Sequence, residues 1–316
     1  GPSQELIEIK GNVIFTLGQL DDAAKKLTSS GCTIYSEVAE IDTRIIYTAI
    51  VTNTSIGLYS SSFTALAGLA QTHNLQIRSG NITKIYNCNL ENTYLDFSSN
   101  LDISNIDIYD GRFGIYGALT DSTFEDIRIW ETEYYPVRVG YNETLNLANA
   151  TFENVGYCSL RGDNMNLDSY LVDCTLESGT PRGTVWIDGA TGTGKFYIQH
   201  TFNRKILDKD GNIYNGHAWT LKDKDGNTVE SGTTQADGKL SATDLTITHG
   251  YYDQAHGDTE QLSSPFTLEV TGNTNNATLT LKNLPIDTKD VVAVETMQVK
   301  SEKNIPFTIY RKEEVL

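Results

Sequence analysis

Four side chains, Tyr116, Arg138, Arg161 and Trp186, each sit between apolar or glycine neighbours in short alternating segments: Ile115-Tyr116-Gly117, Val137-Arg138-Val139, Leu160-Arg161-Gly162 and Val185-Trp186-Ile187. Gln76, Asp96, Ser159 and Asp188 occupy equivalent alternating positions. Aromatic rings offer flat apolar faces to sugar rings, and guanidinium and carboxylate groups hydrogen-bond hydroxyls or carboxylates. Tyr116, Arg138, Arg161, Trp186 and Asp188 are therefore the candidate ligand-binding residues, suited to an extended anionic polysaccharide. Arg138 is expected to present an exposed head group near the middle. Glycoside cleavage would instead need two carboxylates close together. Asp96 and Asp188 lie four repeats apart, roughly 19 Å at about 4.8 Å per repeat, and cannot serve. Asp107, Asp110, Arg128 and Glu131 are closer to one another, but such charges pair across strands. No residue is assigned a catalytic role, and the same outward set would equally make an ordinary solvated face.

Other motifs carry less. Asp-Lys-Asp-Gly-Asn occurs at 208–212 and 223–227. Neither copy has the glycine and glutamate spacing of an EF-hand loop, so Asp210-Gly211 and Asp225-Gly226 are expected to be hairpin turns. Arg161-Gly162-Asp163 matches an integrin-ligand tripeptide, which three residues produce by chance, and it fits a turn. Cys88, Cys158 and Cys174 fall on inward positions, where a thiol acts as a small hydrophobe. They are expected to be reduced and buried. Without a CxxC pair or a clustered His set, no metal and no cofactor is assigned. Asn53, Asn81, Asn142, Asn149 and Asn276 begin Asn-X-Ser/Thr sequons, which permit glycosylation and do not establish it.

The elements that position these residues follow from repetition. One apolar family runs Leu75/Ile77, Leu95/Phe97, Ile115/Gly117, Val137/Val139, Cys158/Leu160 and Val185/Ile187, with steps of 20, 20, 22, 21 and 27 residues. A second runs Cys88, Ile108, Ile129, Phe152, Cys174 or Leu176, and Ile198. A third includes Leu101/Ile103, Leu145/Leu147 and Met165/Leu167. Period-2 alternation turns one residue in and the next out. Short strands recurring every 20 to 24 residues stack coil upon coil, so that the inward residues make continuous ladders no single coil could bury. One helix, over Leu20–Leu27, is expected near the start.

Charge and hydropathy narrow the partners. The formal charge is −17, and residues 1–202 hold 24 acidic against 12 basic side chains. Such a surface repels phosphate backbones, so nucleic acid is excluded as a partner. No run reaches the length of a membrane span, and Gly1-Pro2-Ser3 reads as the remnant of a cleaved tag.

The coils Ile106-Asp107-Ile108-Tyr109-Asp110-Gly111-Arg112-Phe113-Gly114-Ile115-Tyr116 and Thr123-Phe124-Glu125-Asp126-Ile127-Arg128-Ile129 resemble right-handed β-helix repeats of the pectate-lyase-like superfamily. That resemblance implies an all-β right-handed parallel solenoid over residues 70–202, capped by residues 1–69. After 202 the period breaks. Residues 204–247, with their paired Asp-Gly turns and Gly232-Thr233-Thr234-Gln235-Ala236-Asp237-Gly238-Lys239, resemble transthyretin-like or carboxypeptidase-regulatory-like modules. An antiparallel β-sandwich over 203–316 is the expectation. The expected function is that of a non-enzymatic extracellular or cell-surface protein for adhesion, envelope structure or glycan binding. A polysaccharide lyase or hydrolase, or a viral fibre domain, is the alternative.

Overall fold

The computed structural model describes backbone strands between Leu6 and Gly117 and, almost without a break, residues 123–299; side chains are described from Ile103 onward. Among the described residues every regular element is a strand. Leu75–Ser79, Thr93–Phe97, Ile115–Gly117, Val137–Val139, Leu160–Asp163 and Val185–Asp188 form a six-stranded parallel sheet. A thirteen-stranded sheet takes Ile50–Leu58, Lys84–Glu91, Asp102–Tyr109, Thr123–Trp130, Asn146–Ala148, Ser169–Val172 and Lys195–Phe202 in order along its length. Because the chain alternates between the two sheets and each advances one strand per pass, the result is a parallel β-solenoid.

The inward ladders hold it together. On the six-stranded sheet, Ile77, Leu95, Ile115, Val137, Leu160 and Val185 are register partners in succession, and the last four are fully buried. The sequence pattern begins this ladder at Leu75 and passes it through Cys158, which is two residues early at both places. A two-residue slip keeps every side chain on its face, whereas a one-residue slip reverses them all. The outward set is therefore unaffected.

The thirteen-stranded sheet carries two such ladders, and the sequence pattern merges them. Ile85, Ile103, Phe124, Leu147, Leu171 and Ile198 form one. Leu90, Ile108, Ile129 and Phe152 form another. Ile198 thus pairs with Leu171 rather than Cys174, and Cys88 pairs with Ile106 rather than Ile108. Leu167, expected inward, is exposed at a corner. The cause of the merging is local. Asn105, Asp126, Asn149 and Asp173 interrupt successive strands at φ near +50°, a left-handed conformation that Asn and Asp tolerate far better than branched residues. Each kink resets the alternation. A further corner stacks Asn164 on Gly189, whose φ is +122° and whose added Cβ would lie 2.0 Å from the Asn164 amide oxygen.

Between the two ladders, Cys88 and Cys174 lie at opposite ends of a row running through Ile106, Ile127 and Ala150. Four coil steps of about 4.8 Å separate them, well beyond disulfide reach. Cys158 is fully buried, and Cys174 is half-buried with its thiol 3.5 Å from the Leu147 carbonyl. Burial pushes the Cys174 thiol up to about 12. The Cys88 side chain lies outside the described residues. So does most of the expected helix over Leu20–Leu27, whose last two residues begin the strand Lys26–Ser36.

Contacts divide the chain at His200 and Thr201, close to the expected join at 202, but Thr248–Leu262 returns to the solenoid unit. The second unit holds a four-stranded antiparallel sheet in the order Thr228–Thr233, Ala218–Lys222, Phe266–Val270 and Leu279–Leu284. Its core gathers Trp219, Leu221, Phe266, Leu268 and Val270 with Phe202, Ile206 and Met297. Both Asp-Lys-Asp-Gly-Asn segments close turns. Asp208 Oδ1 accepts from the amides of Asp210 and Asn212, Asp223 does the same with Asp225 and Asn227, and Gly211 and Gly226 take φ near +86° and +85°.

Candidate functional site

Strands Val137–Val139, Leu160–Asp163 and Val185–Asp188 alternate strictly between buried and partly exposed residues. Their register makes Asp96, Tyr116, Arg138, Arg161 and Trp186 successive strand partners, one residue per coil, and the described side chains among them, Arg138, Arg161 and Trp186, form one outward column. Asp163 and Asp188 are neighbours in the adjoining column. The structure thus places Arg138, Arg161, Trp186 and Asp188 on one face and pairs the Tyr116 backbone with Arg138; the Tyr116 side chain lies outside the described residues.

The polar groups of this face are already organised among themselves. The Arg138 Nε donates to Asp163, and the Arg161 Nε donates to the other oxygen of the same carboxylate at 2.7 Å. Arg161 also reaches Asp188 at 3.3 Å and the Tyr135 hydroxyl at 3.4 Å. Its guanidinium stacks 4.4 Å from the centre of the Trp186 ring. Burial works against the Arg161 charge, but the hydrogen bond and field of Asp163 outweigh it and hold the group above its ordinary value. Arg138, expected to stand exposed, is drawn onto Asp163 with its side chain 30% exposed. Asp163 accepts from two guanidiniums and ties the two coils together.

Four residues that sequence reasoning missed complete the patch. Tyr134, Tyr135, Tyr157 and Arg182 lie in the loops that lead into these strands. The amide of Tyr157 donates to the Tyr134 carbonyl and that of Arg182 to the Tyr157 carbonyl, both at 3.0 Å, so these loops stack in the same coil order. Tyr157 meets Tyr134 at 6.1 Å and the edge of Trp186 at 5.6 Å between ring centres. Arg182 donates to the Tyr157 hydroxyl at 2.7 Å and sits 5.1 Å from the Trp186 ring centre. Burial raises the Tyr135 phenol, and the nearby Arg161 partly offsets this. The signal was available, since Tyr134, Tyr157 and Arg182 recur at the coil period, but it falls outside the alternating strands.

The remaining candidates resolve as follows. Arg128 pairs with Glu153 at 2.6 Å and faces Asp107 in register, as cross-strand charges do; Asp110 lies outside the described residues. Arg161-Gly162-Asp163 is a strand, with Gly162 facing the interior and Arg161 bonded to Asp163, so it is not a displayed loop. Asn276 is buried. Its amide oxygen accepts from the Lys209 amide and its Nδ2 donates to Asn273, which leaves no room for a glycan on the folded chain. Asn142 and Asn149 are exposed. Asn53 lies in the strand Ile50–Leu58, with its side chain outside the described residues, as is Asn81. Among the described residues no group of three or more His, Cys, Asp or Glu is arranged to hold a metal ion. No helix is long and apolar enough to cross a membrane among those residues.

No family model, curated protein or solved structure matches this chain.

Proposed function

We propose that the chain is a non-enzymatic, extracellular or cell-surface β-solenoid that binds an acidic polysaccharide along its six-stranded face. The supporting observation is the single column that carries Arg138, Arg161 and Trp186 on successive coils, with Tyr116 the strand partner of Arg138. A polymer lying along the solenoid axis meets a new side chain about every 4.8 Å. Among the described side chains around Trp186, three guanidiniums, Arg138, Arg161 and Arg182, stand beside two carboxylates, Asp163 and Asp188. That local positive excess stands on a chain of formal charge −17 and directs an anionic polymer to this face. The Trp186 ring carries Arg161 4.4 Å and Arg182 5.1 Å from its centre, so recognition rests on guanidinium N–H donors held by rings more than on an open ring platform.

A binder is favoured over a hydrolase because Asp163 and Asp188, though adjacent, both direct oxygens onto Arg161, whereas a glycosidase pair must flank the scissile bond of its substrate. We read the solenoid as right-handed and related to pectate-lyase-like repeats, and the second unit as a small β-sandwich. A panel of a uronic-acid polymer, a sulfated polymer and a neutral glucan tests the reading. The expected result is salt-sensitive binding of an anionic polymer with no new reducing ends or unsaturated products. Equal affinity for the neutral glucan, or product formation, contradicts it.

A further inference from the structure

Two of the sequons spell the same tripeptide, Asn149-Ala150-Thr151 and Asn276-Ala277-Thr278, and the fold sets them in opposite surroundings. Asn149 stands between the strands Asn146–Ala148 and Thr151–Glu153, at one of the left-handed corners of the thirteen-stranded sheet, with φ +52°. Its backbone amide donates to the Val172 carbonyl at 2.9 Å, which ties the corner to the next coil. Leu147, Ala150 and Phe152 are buried on either side of it, so the corner is firmly seated. The Asn149 side chain itself is exposed, and among the described residues no hydrogen bond engages its amide. Thr151 turns outward on the following strand, in register with Arg128 on one neighbouring coil and Thr175 on the other. Asn149 and Thr151 therefore face outward together, with Ala150 between them only 1% exposed.

The second copy has neither group to offer. Asn276 is 5% exposed, its oxygen accepts from the Lys209 amide at 2.9 Å, and its Nδ2 donates to Asn273 at 3.0 Å. The Thr278 hydroxyl accepts from the Gly272 amide at 3.2 Å. Both side chains hold a turn of the second unit.

We propose that Asn149 is an N-glycan acceptor and that Asn276 is not. The chemistry asks for an asparagine amide that stays clear of the folded surface and a Ser or Thr two residues on. The co-reactant is a lipid-linked oligosaccharide diphosphate in a secretory lumen. A bond forms between Nδ2 of Asn149 and the first sugar carbon, and the bond from that carbon to the diphosphate oxygen breaks. The lipid diphosphate leaves with the electron pair, and one amide proton passes to a base of the transferase. Because Asn149 belongs to the thirteen-stranded sheet, a glycan there leaves Arg138, Arg161 and Trp186, on the six-stranded sheet, uncovered.

The full chain, translated behind a secretory signal into microsomes, supplies the test. Glycans are released enzymatically in heavy-oxygen water from the folded, protease-resistant fraction, which turns each glycosylated asparagine into labelled aspartate, and peptides are then mapped. Label is expected at Asn149 and not at Asn276. Thr151→Ala should abolish the label at Asn149, and Thr151→Ser, which keeps a hydroxyl, should retain it. Asn149→Asp should lose the glycan and keep the fold, because aspartate also tolerates the left-handed corner. An unlabelled Asn149 in the folded parent, or equal label at both sequons, overturns the inference.

Discussion

The two outward faces of the solenoid use the same coil rise to opposite ends. On the thirteen-stranded sheet, ring stacks on ring, with Arg128 5.1 Å from the Trp130 ring centre and Lys195 3.9 Å from that of Tyr251 at the margins. Tyr109 and Trp130 lie 4.7 Å apart and 11° from parallel, and Tyr170 and Tyr197 lie 5.4 Å apart and 10° from parallel. Rings standing on neighbouring rungs cover each other's faces and present their edges to water. On the six-stranded sheet, guanidinium packs on ring, as where Arg161 lies over Trp186 and Arg182 over Tyr157. That arrangement stabilises the face by cation–π contact and leaves N–H donors at the surface. A parallel ladder therefore does not dictate what its surface does. The residue type on each rung decides whether the ladder closes on itself or faces outward.

Leu160 is fully buried under the Arg161 column, and Leu160→Ala should cost about 2–5 kcal/mol in denaturant unfolding, with the binding face lost in proportion. An alkaline shift follows in size. The Cys174 thiol, pushed up to about 12 in the folded chain, ionises in the unfolded chain from about 8.5. Its contribution is fully present below that value and is lost as pH rises toward 12. Raising the pH by one unit within that window should cost about 1.4 kcal/mol, and Cys174→Ala should remove that part of the slope.

Asp163→Asn tests the anchor of the six-stranded face. It takes a charge-assisted acceptor from two guanidiniums and should lower stability by about 1.5–3 kcal/mol. Binding of an anionic polymer should rise or hold at low salt, since a competing carboxylate is gone. On the other face, Tyr197→Ala should cost about 0.5–1.5 kcal/mol beyond the area it exposes and leave polymer binding unchanged. Arg128→Ala is the mildest. Its pair with Glu153 is roughly half exposed on both sides and screened by solvent, so the thermal midpoint should stay close to that of the parent.

Much of this was legible in the residues. Period-2 segments at a coil-length spacing specify a parallel solenoid, and the outward column of Arg138, Arg161 and Trp186 follows from alternation alone. The register was off by two at Leu75 and Cys158 without harm to the faces. What alternation could not show were the left-handed kinks at Asn105, Asp126, Asn149 and Asp173, each of which splits a strand into two ladders. Side-chain pairing was hidden as well. Nothing in the order of residues says that Asp163 takes both Arg138 and Arg161, because an ion pair between coils depends on rotamers and not on spacing. Tyr134, Tyr157 and Arg182 recur with the coil but sit in loops, where no alternation marks them.

The central claim is that the guanidinium–aromatic column, and not the stacked-tyrosine face, holds the ligand. Titrating the parent, Arg161→Ala and Tyr197→Ala with whichever anionic polymer the panel selects tests it most directly. Arg161→Ala should weaken binding by about ten- to a hundred-fold, the equivalent of roughly 1.5–3 kcal/mol for a charged hydrogen bond, while Tyr197→Ala binds as the parent does. Equal affinities for all three proteins, or a loss confined to Tyr197→Ala, would contradict the account.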